Sequence, residues 1–437
     1  MLSKQDAKTI FEKTFARTDY IATAIISSSE KNTTRFANSE ISQNVSITDA
    51  NMTITLHDGK KSARCTGNVL TEEGIAALVK NAEDMLKIVP DGEYPPFEFS
   101  LEQTTENVPS GSLASEFTTE KRALLIRDGV TSLERGFSGA GALCLDRNAL
   151  AVACSTGGFR YSAYDHMVFN VVVTHHDGTA GSGEACSFTT APDILGQFAK
   201  AQATAKAARG AISPKLGATT VVLSPTAFGD LVFFMCYMLN AKSVIDGISF
   251  AAGKLGQKVF GENFTVLDAV GHPELLPISF DLEGNPKRPI SLVEKGVINS
   301  LAYDNATAKK LCAMPTGHCA SLGQGGYPIH ISVESGEKSL DEIISDTKNG
   351  VFINEFHYTN FTNPRNLQIT GLTRNGAFLI ERGKLTKPMA TVRFTESLID
   401  AFNSITAISN EKKLVPGYTT SLVPCVRIEN FHFTSKP

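Results

Sequence analysis

The sequence predicts an α+β protein in which N-terminal α/β subdomains, built of small mixed sheets and helices, precede a strand-rich C-terminal domain. Three observations predict it. Helical and strand periodicities are interleaved through the first half of the chain. A capped helix followed by Pro214 and Gly217 marks a major boundary, and beyond it short alternating runs outnumber helices. The predicted units are an N-terminal α+β subdomain at 1–89, a linker or surface crossing at 90–118, a second α+β subdomain at 119–212 and a β-rich domain at 213–437. A chain of 437 residues has room for about three domains.

The elements follow in order. Ala7, Ile10, Phe11 and Phe15 recur near helical spacing, so the chain opens on an amphipathic helix from Asp6 to Phe15. Ile21 to Ile26, Ile41 to Ile47 and the alternating Met52, Ile54 and Leu56 read as strands, with Asp58-Gly59 turning into Lys61 to Thr66. Thr71 caps a helix that puts Ile75, Leu78, Val79, Ala82, Met85 and Leu86 on one face. Pro90 to Ser115, with Pro95, Pro96 and Pro109, has no sustained period and reads as the crossing. A helix at Thr119 to Asp128 is followed by strands at Gly139 to Cys144, Leu150 to Ser155, Val168 to Thr174 and Gly181 to Phe188, the last two joined by an Asp177-Gly178 turn. Ile194, Phe198, Ala201, Ala205 and Ala208 make the stripe of a helix that ends at Arg209 and Gly210. In the C-terminal half, Ser291 to Ile298 and Phe378 to Leu385 both read as hairpins about a glycine, and short helices near Ser339 to Asn349 and Glu396 to Ile405 carry acidic first turns.

Composition excludes several functions. Hydrophobic content of 42%, charged content of 20% and a net charge of -4 describe an ordinary globular chain without the basic face that nucleic acid requires. No export signal and no membrane span are visible, so the expectation is a cytoplasmic protein with no nucleic-acid or membrane partner. The eight cysteines are scattered without a C-x-x-C pair and read as reduced core residues.

One stretch carries the functional reading. Val221-Val222-Leu223 reads as a buried strand, and Ser224-Pro225 as a cap and first turn for a helix that is apolar nearly all round through Leu231 to Leu239. Downstream come Gly253-Lys254-Leu255-Gly256, Asp281-Leu282-Glu283-Gly284-Asn285-Pro286, Glu294-Lys295-Gly296, Thr316-Gly317, Lys348-Asn349-Gly350, Thr370-Gly371 and Ile380-Glu381-Arg382-Gly383, and near the N-terminus Thr34-Arg35-Phe36-Ala37-Asn38. In this order the segments resemble the TldD/PmbA family, metallopeptidases once named modulators of DNA gyrase. The resemblance covers nearly the whole chain. It implies that the helix after Val221-Val222-Leu223 is where the family's catalytic subunit carries H-E-x-x-x-H, two imidazoles holding zinc while the glutamate acts as general base. Here Phe233, Phe234 and Met238 stand at those positions. A phenyl ring has no lone pair, and a thioether is a poor zinc ligand. The family's third ligand is a cysteine near the C-terminus, where this chain has Lys413 to Tyr418; Cys425 lies beyond, in a strand that reads as buried.

The resemblance therefore implies the TldE/PmbA-like branch: a non-catalytic subunit, with no catalytic residue and no metal ligand of its own. Zinc is expected only in a TldD-like partner, in a heterodimer that acts on extended or unfolded peptides. The alternative is a homodimeric binding or scaffold protein of the same fold with no proteolytic role. An enzyme of metal-free chemistry is the third reading, but no elbow motif places a nucleophile.

Other clusters are weaker. His175-His176 with Glu184 and Cys186 resembles a metal set, but neighbouring strand residues face opposite ways. His318-Cys319 has no partner at a fixed spacing and reads as a loop histidine beside a small apolar residue. Gly323-Gln324-Gly325-Gly326 reads as a turn, since a strand and not a helix follows it. Arg35, Asn38 and Arg365 are candidates for contact with a peptide or a partner chain, although ordinary surface roles fit them equally.

Overall fold

The structure, a computed structural model, describes residues 1–92 and 113–436. Two sheets dominate it. The N-terminal sheet has six strands in the spatial order Lys61–Gly67, Glu40–Asp58, Ile21–Ala37, Phe137–Cys154, Phe159–His175 and Ala180–Ser187, all pairs antiparallel. The proposed separation of 1–89 from 119–212 is therefore not a separation of sheets. Ile21–Ala37 pairs with Glu40–Asp58 on one side and with Phe137–Cys154 on the other.

The helices divide this layer differently. Lys4–Phe15 and Glu72–Ile88 cover one core, around Phe11, Ile54, Val79 and Ala151. Thr119–Thr131 and Ile194–Ala207 contribute to a second, around Phe36, Ile126, Phe169 and Phe198. Two helix pairs thus have their own cores on one continuous sheet. Of the expected crossing at 90–118, residues 93–112 lie outside those described, and Leu113–Glu116 form a short helix.

The strands run longer than their apolar patterns. Ile41 to Ile47 and Met52 to Leu56 belong to one strand, Glu40–Asp58, whose first ten residues are exposed. Gly139 to Cys144 and Leu150 to Ser155 likewise fall largely within one strand, Phe137–Cys154. Polar residues carry these strands past the edge of a core, where backbone pairing and not burial sustains them.

The second sheet has eleven strands and forms the C-terminal domain. At its centre Gly217–Leu223 lies between Asn349–Asn363, parallel to it, and Ser421–Ser435, antiparallel to it. Both expected hairpins are present. Each turns through two residues of positive φ, Lys295 (47°) with Gly296 (79°) and Arg382 (52°) with Gly383 (75°), the signature of a type I′ turn that follows the twist of its strands. A Cβ on Gly296 would sit 2.1 Å from the Phe260 carbonyl oxygen, so this tip also packs on backbone. The short helices begin at capping residues: Ser339 before Leu340–Ser345, in a capping box with Glu342, and Ser397 before Leu398–Asn403. All eight cysteines are free. No helix among the described residues is long and apolar enough to cross a membrane.

Candidate functional site

The helix after the central strand spans Pro225–Met238, and its start is fixed by sequence. Ser224 accepts from the Ala227 N–H at 3.2 Å and Pro225 occupies the first turn, where a missing N–H costs nothing. The Ser224 hydroxyl also donates to the Asn354 carbonyl, tying the cap to the neighbouring strand. Most of the helix is buried, and one stripe is not: Thr226, Asp230, Phe233 and Tyr237 recur at i, i+4, i+7 and i+11.

The stripe is acidic at one end. Thr226 Oγ1 donates to Glu184 Oε1 at 2.6 Å, which joins the edge strand of the N-terminal sheet to this helix. Glu355 accepts from Ser182 Oγ at 2.5 Å and from Asn375 Nδ2 at 2.6 Å. Asp230 lies within electrostatic reach of both carboxyl groups. Burial, and then Glu184 and Glu355, push its carboxyl up to about 7. Burial likewise raises Glu184 and Glu355. The nearby Lys413, whose Nζ donates to the Glu184 carbonyl at 3.0 Å, is pushed down by burial and by Lys200.

A pH dependence follows with a definite sign. Between the ordinary value of 3.8 and about 7 the folded chain keeps a proton on Asp230 that the unfolded chain has lost, so stability declines as pH rises across that window. Asp230→Asn is expected to raise stability at pH 8 by about 1–3 kcal/mol and to leave it nearly unchanged at pH 4. Urea unfolding at the two pH values checks this; an equal or lower stability of the variant at pH 8 would contradict it.

The other end of the stripe is aromatic. The ring of Tyr418, from the turn after Ile405–Val415, stacks on Phe233 with centroids 4.7 Å apart. Phe234 meets Phe361 edge-on at 4.9 Å, and Tyr237 stacks on Tyr327 at 5.2 Å. Tyr237 is 40% and Tyr418 72% exposed. Such contacts each contribute about 0.5–1.5 kcal/mol beyond burial and need no bound group to hold them.

The segment Lys413 to Tyr418 does reach this helix, but it delivers an aromatic ring and a lysine. Phe233 and Phe234 present carbon to one another and to Tyr418, and Met238 is 3% exposed within the core. These three side chains do not fit zinc. Cys425 is buried, with its thiol pushed up to about 11 by burial first, and its backbone N–H donates to Ser409 Oγ.

The remaining candidates separate. Asn38 (φ 50°) and Ser39 (φ 64°) form the turn between Ile21–Ala37 and Glu40–Asp58, so turn geometry accounts for Asn38. Arg35 is exposed three residues before Asn38. Arg365 is exposed in the 3-10 turn Pro364–Asn366, and no hydrogen bond or ion pair described joins it to Arg35 or Asn38. His175 is held by Asp177 at 2.9 Å and by Arg209. Glu184 pairs with Asn170 and Cys186 with Val168, farther along the hairpin, so no metal set forms there. The glycine-rich Gly323 to Gly326 is a turn resting on Asn240, whose Nδ2 donates to the Gln324 carbonyl.

His318 corrects its sequence reading. It is fully buried: Nε2 lies 3.2 Å from Asp268 Oδ1, Nδ1 lies 2.9 Å from the Thr316 carbonyl oxygen, and His330 Nδ1 lies 3.2 Å from the same Asp268 oxygen. The two 3.2 Å contacts are ion-pair separations whose angles fall short of hydrogen bonds. Sequence reasoning missed this cluster and the Glu184–Asp230–Glu355 trio because each is assembled from distant segments. One signal was present: Asp230 is the only charged residue between Ala227 and Leu239.

Comparison with known proteins places this architecture. Residues 216–435 match the family described as PmbA/TldA metallopeptidase C-terminal domain. This chain belongs to the TldD/PmbA metallopeptidase family. A protein called a metalloprotease in Methanothermobacter thermautotrophicus is 26% identical over 210 residues, 47% of this chain and 46% of its own length. A zinc metalloprotease TldD homolog of Saccharolobus solfataricus is 22% identical over 235 residues, 50% of each chain. The chain thus spans about half the length of the curated relatives it matches. The fold agrees throughout with TldE from Thermococcus kodakarensis, at TM-score 0.83 and 20% identity over 98% of this chain and 99% of that one. A Bacteroides thetaiotaomicron protein described as a modulator of DNA gyrase gives TM-score 0.86 and 18% identity over 100% of both chains.

Proposed function

We propose that this chain is a TldE/PmbA-like subunit of a cytoplasmic zinc metallopeptidase complex and contributes no catalytic residue or metal ligand to the hydrolysis of extended peptides. The observation that carries the reading is the helix Pro225–Met238: carbon-only rings at 233 and 234 and a buried thioether at 238 stand where a peptidase of this family needs two imidazoles and a carboxylate. Zinc belongs to a TldD-like partner chain.

The role left to this helix is to shape a binding surface. The rings of Phe233, Tyr237 and Tyr418, all at least partly exposed, offer flat apolar faces to peptide side chains, and Glu184, Asp230 and Glu355 place hydrogen-bonding carboxyl groups beside them. Arg35, Asn38 and Arg365 remain candidates for contact with the partner or the peptide.

The test is to purify the chain alone and together with a TldD-like chain carrying H-E-x-x-x-H. The expected result is a stable complex that hydrolyses extended peptides and a lone chain that does not. A chain that forms only homodimers and leaves the partner's activity unchanged would favour a binding or scaffold protein instead.

A further inference from the structure

Away from the helix, three loops bring together side chains that no sequence motif links. Glu283, Asp304 and Cys319 each offer a ligand atom, and these atoms all lie within 4.8 Å of one another. All three residues are buried, at 6%, 2% and 1% exposure. We propose that they form a binding site for a divalent transition cation of the zinc or ferrous class, separate from the family's helix and independent of the functional reading above.

The scaffold around the site is already satisfied, which leaves these donors to spare. Asp281 organises the first loop: its Oδ1 accepts from the N–H groups of Glu283 and Asn285, and its Oδ2 accepts from the Cys319 N–H at 3.0 Å. The Leu282 N–H donates to the Cys319 carbonyl, so the first and third loops are fastened by backbone. Glu283 Oε2 accepts from the Asn305 N–H at 2.8 Å, and Asp304 caps the helix Asn305–Lys310 through Oδ1. The Cys319 thiol, 99% removed from solvent, has no hydrogen-bond partner among the described residues. An unpartnered buried sulfur within 4.8 Å of two buried carboxylate oxygens is the observation that turns an acidic cluster into a candidate ligand set.

The charges agree. Lys287 is the buried cation nearby, and it acts on Asp268, Asp281 and Cys319. Arg64 acts on Glu283 from an exposed position where its Nη1 donates to the Leu322 carbonyl. Glu283 and Asp304 hold their ligand oxygens within 4.8 Å of each other. Two oxygens and one sulfur select borderline metals over magnesium or calcium, which prefer oxygen alone. Asp304 also lines a cavity of about 840 Å³ with Thr307, Lys309 and Lys310. On binding, the metal–sulfur bond replaces the sulfur–hydrogen bond and the proton leaves to solvent, with no change of oxidation state.

The full chain, stripped of metal by a chelator, is titrated with cobalt(II) and, separately, zinc. One equivalent bound by elemental analysis, a near-ultraviolet thiolate-to-cobalt band and a higher melting temperature are expected. Cys319→Ser should abolish the band, and Glu283→Gln should weaken cobalt binding at least tenfold. Absence of the band in the wild-type chain would overturn the proposal whatever the variants do, and so would uptake undiminished in folded variants. Peptide hydrolysis is not a readout, so failure here is distinct from failure of the subunit reading.

Discussion

Replacing Asp268 by alanine is expected to destabilise the protein by about 3–5 kcal/mol, the largest loss for any single polar side chain considered. Its carboxylate is fully buried and faces His318 Nε2 and His330 Nδ1 through one oxygen, while the other accepts from the Ile329 and His330 N–H groups at 2.8 and 3.1 Å. Removing it strands two backbone donors and two imidazoles in the interior. Burial alone would raise this carboxyl, but the histidine contacts outweigh it and hold the group well below its ordinary value of 3.8. A depressed carboxylate contributes stability that is present above its unfolded value and lost as pH falls toward its folded one. Wild type should therefore lose stability below about pH 4, and Asp268→Ala should lose less over the same interval. Urea unfolding at pH 7 and pH 3 reads both effects; a loss under about 1 kcal/mol at pH 7 would show that the buried carboxylate does not hold the cluster together.

Phe228→Ala is expected to cost about 3–5 kcal/mol by opening a cavity under the same helix. Phe228 is fully buried and meets Phe402 and Phe264 edge-on at 5.9 and 6.3 Å, while Phe264 in turn contacts Phe402 at 4.7 Å and Phe260 at 5.7 Å. The neighbouring Gly229 keeps the helix close to Ile405–Val415, since a Cβ there would lie 2.9 Å from Val415 Cγ2. That side of the site is set by packing, so the denaturation midpoint should fall while the slope stays constant. Phe233→Ala, on the half-exposed face, should cost much less; equal losses at the two positions would mean that the stripe is core.

Much of the fold was legible because periodicity reports burial. Phe11, Val79, Phe198 and most of the run from Val221 to Leu239 sit in cores, and their spacing named their helices and strands. The Lys295-Gly296 and Arg382-Gly383 turns were legible for a different reason, since glycine supplies the positive φ that closes a tight hairpin. Strand length was not legible. Residues 40–49 lie in a strand yet are exposed, so no apolar alternation reports their pairing. The continuity of the N-terminal sheet was hidden as well, because the partners of Ile21–Ala37 on its far side come more than a hundred residues later. At the site, the carbon-only and thioether side chains at 233, 234 and 238 were visible in sequence, whereas the Tyr418 stack and the convergence of Glu184, Asp230 and Glu355 depend on tertiary contacts alone.

The claim that this chain supplies no metal chemistry to hydrolysis is tested most directly by incubating the purified lone chain with an extended, unstructured peptide in the presence of added zinc. Cleavage no faster than in buffer is predicted, with cleavage appearing when a TldD-like partner is added. Chelator-sensitive hydrolysis by the lone chain, reproducible after removal of every co-purifying protein, would contradict it.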